Sequence, residues 1–400
     1  MPTPMPLEGL RILDLATVIA GPLSSALLAD FGADVVKIEL PNGGDGVRAL
    51  PPFKNGVALW GKVTNRNKRG VTLDIRTPEG LDILKQMLPK FDVLVENFRP
   101  GTLAKWGLPI EEIRRINPDL TVLRVSGFGQ TGPRARDAGF ARVAEAMSGL
   151  TTLCGESDRT PLHLGYPIAD GITGVFGAFS IMMALYRRLN DPAARGEEID
   201  LSLYESMHRI LEFLVIEYDQ LGAVRERSGN RSQYAVPSGV YRTDDDRWVS
   251  LACSTQSVFE RMAEAMDRAD LIDDARFRTN ADRVTNADAI EEIVTAWFAA
   301  NEFPNVSQLL SEKGVAFSLV FTAKDAFEDP HYAARENIVA VEDSELGTIR
   351  MQGIVPKLRD APGAVRRAGP ALGQHNAEVY EELLDLSADE ISTLKEKGIV

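Results

Sequence analysis

Short β-branched runs alternate with helical patterns through the first 200 residues, and few folds accept that order. Residues 11–15 (RILDL) precede a helical pattern from about 22 to 31, which leads into residues 34–39 (DVVKIE). This is the strand-helix-strand order of a parallel sheet. It recurs with residues 70–75, a helix opened by Thr77, Pro78 and Glu79, and residues 92–96. Thr as N-cap with Pro at the first helical position is a strong start signal. A helix near 111–116 and a strand at 120–125 follow. The expected fold class is α/β, a doubly wound, Rossmann-like parallel-sheet domain.

The pattern changes further along. A loop at 190–196 leads to a strand at 198–203 and a helix from about 204 to 221. Residues 225–234 are polar and rich in Arg, Gly and Ser. A hairpin is expected at 239–243 and 248–252 around Asp244, Asp245 and Asp246, followed by short helices to about 328. The predicted organisation is a large domain, 1–224 plus 329–400, and a smaller α+β domain at 225–328. The tail reads as a strand near 348–355 and helices at 376–384 and 387–397, with Ser387 and Glu390 spaced as a capping box.

Lys+Arg 44 against Asp+Glu 58 gives a net charge of −14. Nucleic acid and anionic membrane surfaces both favour positive fields, so neither is an expected partner. The chain opens with no basic, apolar and small-residue leader, and no apolar run reaches 18 residues, so a cytoplasmic protein without a membrane span is expected. Cys154 and Cys253 suit a reducing compartment and form no disulfide framework. His163, His208, His331 and His375 offer no convincing ligand spacing, so no metal is expected.

Asp170 is the candidate nucleophile. It is a lone carboxylate in residues 165–174 (GYPIADGITG), at the start of a mostly apolar helix ending near Arg188. An N-cap role alone would explain an Asp there. No phosphate-binding loop with a terminal Lys-Ser/Thr pair and no Gly-x-Ser-x-Gly elbow is present, and the glycines at 127, 129 and 132, with Pro133 directly after them, read as a tight turn.

Several ordered motifs together resemble the class III CoA-transferases, a family that shares its fold with 2-methylacyl-CoA racemases. They are Ala20-Gly21-Pro22, residues 32–39, 65–69 before Leu73 and Asp74, 95–101 (VENFRPG), 126–133 (SGFGQTGP), 146–149 (AMSG) and Asp170 with its small-residue helix. The resemblance is strong over about 7–205 and weaker beyond. It implies that Asp170 becomes acylated, then carries CoA as a thioester. It further implies that CoA, bound as part of the substrate with no other cofactor held tightly, lies over the C-terminal strand ends. There Val18, Ile19 and Ala20, then Leu73, Asp74, Ile75 and Arg76, then Asn97, Phe98, Arg99 and Lys105 would flank it. Partners would be an acyl-CoA donor, plausibly succinyl-CoA, and a carboxylic acid acceptor. An interlocked homodimer is implied, with a hetero-oligomer as the alternative.

The departures are informative. Leu40 stands where some relatives place an arginine beside the nucleotide. Residues 137–141 (DAGFA) lack the histidine that the racemases carry, which disfavours the alternative reading of a racemase. The glycine run of formyl-CoA transferases is replaced by residues 228–239. Arg48, Arg134, Arg136, Arg142 and Arg231 are candidates for holding an acyl carboxylate, because a guanidinium fork matches that group. A non-catalytic subunit of a hetero-oligomeric transferase is the third reading, against which the retained Asp170 counts.

Overall fold

A computed structural model describes residues 4–400. The chain forms two compact units, the first from residues up to 150, 164–216 and 331–400, the second from 151–163 and 217–330. The excursion at 151–163 lies far in sequence from the rest of the second unit, and a linear reading of composition gives no sign of it.

The first unit is built on a six-stranded parallel sheet. Its strands are β1 (Arg11–Asp14), β2 (Asp34–Glu39), β3 (Arg69–Thr72), β4 (Val93–Glu96), β5 (Thr121–Ser126) and β6 (Glu198–Ser202). They run in the order β3-β2-β1-β4-β5-β6. In the register, Ile12 faces Val35 on one side and Val93 on the other. Both sheet faces are covered, so the central strands are apolar almost continuously. Leu13, Val36, Val71 and Leu94 enter one core with Leu84 and Tyr380, while Ile12, Val35, Val93 and Leu123 enter the other with Ile181.

Six of the helices bear on the site: α1 (Ala20–Ala29), α2 (Leu59–Thr64), α3 (Pro78–Met87), α4 (Ala141–Ser148), α5 (Ile168–Asn190) and α6 (Leu203–Ile210). The Thr77 hydroxyl accepts from Gly80 N at 3.1 Å at the start of α3. The single helix expected over 204–221 is interrupted. Leu211 leaves helical geometry at φ −94° and ψ 54° and buries its side chain, and a second helix follows at Glu212–Leu221. The expected tail strand is the second arm of a hairpin, Ile338–Asp343 paired with Gly347–Gln352. Helices Asn376–Leu384 and Ala388–Glu396 close this unit, with the Ser387–Glu390 capping box formed.

By length and composition α5 would cross a membrane. It lies instead along α1, with Ala169, Thr173, Gly174, Gly177, Ile181 and Leu185 buried.

The second unit packs helices on a three-stranded antiparallel sheet, Phe317–Leu319, Trp248–Ala252 and Ser238–Arg242. Val249, Phe259, Ile290, Val294 and Phe298 form its core with Cys253. Burial pushes the Cys253 thiol up to about 12, which makes it a packing residue with no nucleophilic character at neutral pH.

Candidate active site

The reversal of strand order between β1 and β4 opens a crevice beyond their C-terminal ends, the general position of ligands in open α/β sheets. Three chain segments build the candidate site, and the first is pinned by side chains distant in sequence.

The segment after β1 comes first. Asp14 Oδ1 accepts from Ala16 N at 2.9 Å, and the buried Lys37 ammonium donates to Ala16 O. Asn97, just past β4, holds both sides of Thr17: its Oδ1 accepts from Thr17 N and its Nδ2 donates to Thr17 O, each at 2.7 Å. Asp45 Oδ1 accepts from Val18 N at 2.8 Å. Val18 has a φ of +67°, in the left-handed region that a β-branched residue rarely enters. Thr17 and Val18 N–H therefore already serve side chains.

A cavity of about 180 Å³ opens beside this segment, lined by Leu15, Thr17, Ile38, Glu39, Leu40, Gly44, Asp45, Leu73, Ile75, Arg76, Phe98 and Trp106. Phe98 and Trp106 meet edge to face with centroids 5.1 Å apart. Of the residues expected around CoA, Leu73, Ile75, Arg76 and Phe98 line this cavity. Asp74 holds Arg76 through two contacts of 2.7 Å, and its own N–H donates to Ile399 O at 2.7 Å, so the C-terminus braces the loop after β3. Asn97 serves as the clasp on Thr17. Ile19 and Ala20 are buried at the start of α1, while Arg99 and Lys105 are exposed and lie outside the cavity wall. Trp106 and Thr17 line the cavity too, although sequence reasoning did not select them. Trp106 had one available signal, its position next to Lys105 on the same short turn.

Asp170 belongs to the third segment. Helix α5 starts at Ile168, so Asp170 occupies its third position and the N-cap expectation is corrected. The reason is Pro167, whose carbonyl already accepts from Asp170 N at 3.1 Å and Gly171 N at 3.3 Å. Burial raises the Asp170 carboxyl to about 7, and the negative Glu145 contributes in the same direction. Glu145 is itself buried, on α4 directly before the 146–149 motif. Sequence reading passed over it because a lone Glu in a helix is ordinarily solvated.

Small residues set the position of α5. A Cβ on Gly177 would stand 2.2 Å from Ser24 Oγ, and one on Gly174 would stand 2.7 Å from Leu23 Cδ2, so the Leu23 and Ser24 side chains of α1 sit directly on the glycines of α5. Beside Asp170, the ring of Tyr166 lies over Gly171, within 3.2 Å of where a Cβ would be. Trp60 on α2 faces that ring at 6.2 Å between centroids.

The candidate carboxylate-binding arginines do not form one set. Arg48 is taken by Glu39, at 2.6 and 2.7 Å, and by Pro370 O at 2.9 Å. Arg134 pairs with Asp137 at 2.9 Å and lies over the Phe128 ring. Within the second unit Arg231 pairs with Asp288 at 2.6 Å. Arg136 and Arg142 are exposed.

Comparison with known proteins gives the arrangement a context. The sequence profile described as CoA-transferase family III matches residues 7–376. Succinyl-CoA--D-citramalate CoA-transferase of Chloroflexus aurantiacus is 39% identical, over 99% of this chain and 98% of that protein. The succinyl-CoA--L-malate CoA-transferase beta subunit of the same organism is 40% identical, over 100% and 99%. A crystal structure of a CAIB/BAIF family protein from Brucella suis superimposes with a TM-score of 0.86 at 31% identity, covering 95% of this chain and 100% of that one.

Proposed function

This chain belongs to CoA-transferase family III, and from that premise we propose that it moves CoA from succinyl-CoA to a second organic acid, with Asp170 as the covalent nucleophile. The observation that carries the reading is Asp170 itself: a carboxylate in the first turn of a rigidly packed helix, raised to about 7 by burial and by Glu145. A carboxylate of raised basicity that is half ionised at neutral pH is a stronger nucleophile than an ordinary aspartate.

The chemistry divides into four displacements. The Asp170 carboxylate attacks the donor thioester carbonyl, forming a mixed anhydride and expelling CoA thiolate. The thiolate attacks the aspartyl carbonyl, giving an Asp170–CoA thioester and free succinate. The acceptor carboxylate then attacks that thioester, again expelling thiolate. A final thiolate attack on the acceptor's acyl carbonyl yields the new acyl-CoA and regenerates Asp170. No step requires water, and water would hydrolyse all three intermediates, the two anhydrides and the thioester, which makes a partly buried carboxylate suitable.

In the same reading CoA occupies the crevice over β1, β3 and β4. The cavity edged by Phe98 and Trp106 takes its nucleotide end, Val18, Ile19, Ala20 and Asn97 border it, and Arg99 and Lys105 meet phosphate from the exposed rim. The succinyl donor follows from the names of the two Chloroflexus relatives. A dimer is part of the proposal. Val175, Phe179, Met183, Tyr186 and Leu189 leave an apolar face of α5 exposed, larger than isolated surface residues would explain. The relative that is a named subunit makes a related second chain the alternative occupant of that face. A cytoplasmic location completes the proposal.

Incubation with succinyl-CoA, hydroxylamine trapping and peptide mapping provide the test. A hydroxamate at residue 170, absent from D170A together with CoA exchange, is the expected result. D170A exchanging CoA at the parent rate would overturn the assignment.

A further inference from the structure

The loop after β1 is held by residues that take no part in the four displacements, and one of them has a specific geometric task. Asp45 lies at the N-cap of a short turn, Gly46–Ala49, with its Oδ1 accepting from Val47 N at 2.9 Å as well as from Val18 N at 2.8 Å. Its backbone N–H donates to Glu39 Oε2 at 2.8 Å, and the same Glu39 oxygen receives Arg48 Nε at 2.6 Å. Lys37 Nζ sits 3.0 Å from Asp45 Oδ2, with neither side chain exposed. The carboxylate is thus immobilised from several directions, with one oxygen directed at the residue whose backbone is strained.

That strain has no local cause. Val18 is β-branched, and a φ of +67° places its side chain against its own carbonyl, a conformation that persists only when surrounding groups over-determine it. Asn97 fixes the preceding residue and Asp45 fixes Val18 itself. Released from Asp45, the peptide would relax to an ordinary negative φ and redirect its neighbour Thr17 in the cavity wall.

We propose that Asp45 is a positioning residue for CoA binding, which holds Val18 in the left-handed conformation and thereby keeps the loop after β1 in the shape that admits CoA. The identity of the ligand rests on the proposed transferase function, whereas the role of Asp45 in holding Val18 stands on the geometry alone.

The test uses the full chain and measures two things. One is the Kd of CoA by calorimetry together with kcat and KM for succinyl-CoA, and the other is amide hydrogen exchange of the peptide spanning residues 15–20. D45A is expected to speed exchange in that peptide, to raise Kd and donor KM about tenfold, the factor that a strained residue's energy corresponds to, and to change kcat much less. In D45A/V18G, glycine adopts positive φ without a clasp, so much of the lost affinity should return. A merely structural loss would not respond to a glycine at position 18. If D45A does not fold, V18P serves instead, because proline removes the N–H and forbids positive φ, and the same weakening is expected. Unchanged exchange in D45A, or a double variant as weak as D45A, overturns the proposal. Should the parent protein itself fail to bind CoA, the functional reading fails, while the exchange data still decide the role of Asp45.

Discussion

Asp14 and Lys68 meet at 2.8 Å with neither side chain reaching solvent. Lys37 approaches the other Asp14 oxygen at 3.9 Å, so two ammonium groups share one carboxylate beneath the loop after β1. Burial opposes the charge on Asp14, but the two lysines prevail and hold its carboxyl below the usual value. Lys68, dehydrated and facing Lys37, is pushed down to about 8. Its hydrogen bonds to Pro22 O and Asn65 Oδ1 keep it fully partnered. Replacing Lys68 by Ala removes the nearer of the two ammonium groups that compensate Asp14 and leaves that carboxylate to Ser25 and the more distant Lys37, and a buried pair broken in this way costs about 3–5 kcal/mol. Urea unfolding of K68A is expected to show that loss with an unchanged m-value, and a midpoint equal to the parent's would contradict it.

The Asp170 carboxyl carries a pH signature. In the proposed reaction the ionised form attacks, so kcat/KM for the donor should climb through about pH 7 and level off above it. E145Q removes the repulsion that helps raise this group, so its midpoint should move to lower pH. Stability has the opposite slope. The folded value lies above the ordinary 3.8, so the native state retains a proton that the unfolded chain has lost. The stabilisation is therefore complete below about pH 4, declines as pH rises toward 7 and is constant beyond. D170N should flatten that decline, and calorimetric melts between pH 4 and 8 would read it.

Gly177 offers a test of packing. A Cβ there stands 2.2 Å from Ser24 Oγ, and overpacking of this kind typically costs about 1–3 kcal/mol. G177A should melt earlier and, because the same helix carries Asp170, should lose kcat rather than donor affinity. A loss confined to KM would separate the helix seam from the nucleophile.

Trp106 tests the proposed placement of the nucleotide in the cavity. Removing an aromatic wall beside a base typically costs about 1–3 kcal/mol, so W106A should raise donor KM by about tenfold or more while sparing kcat. A KM equal to the parent's would move CoA out of this cavity.

Much of this molecule can be read along the chain. The β-branched runs of β1, β2 and β4, the Thr77 cap of α3 and the Ser387 capping box all appear where local pattern puts them, because each depends on neighbours within a few residues. Asp170 stood out as a solitary carboxylate in an apolar stretch. Features that depend on distant partners were not visible. Pro167 displaced Asp170 from the N-cap by starting the helix earlier. Arg48, a candidate for holding an acyl carboxylate, is committed to Glu39 by the turn at 46–49. The clasp of Asn97 on Thr17 spans 80 positions and that of Asp45 on Val18 spans 27, beyond the range of any local pattern. Val18 is the most concealed of these, since nothing in a valine announces a positive φ.

The glycine contacts of α5 with α1 act as a fixed ruler. Helix α1 begins where the loop after β1 ends, and α5 begins with the turn that bears Asp170, so the distance from that loop to the proposed nucleophile is set where the α5 glycines meet the Leu23 and Ser24 side chains of α1. A larger residue at Gly174 or Gly177 would lengthen that ruler by driving the helices apart. In the proposed transferase, diversification toward new acids is thereby directed away from this seam, while the spacing between handle and blade stays constant.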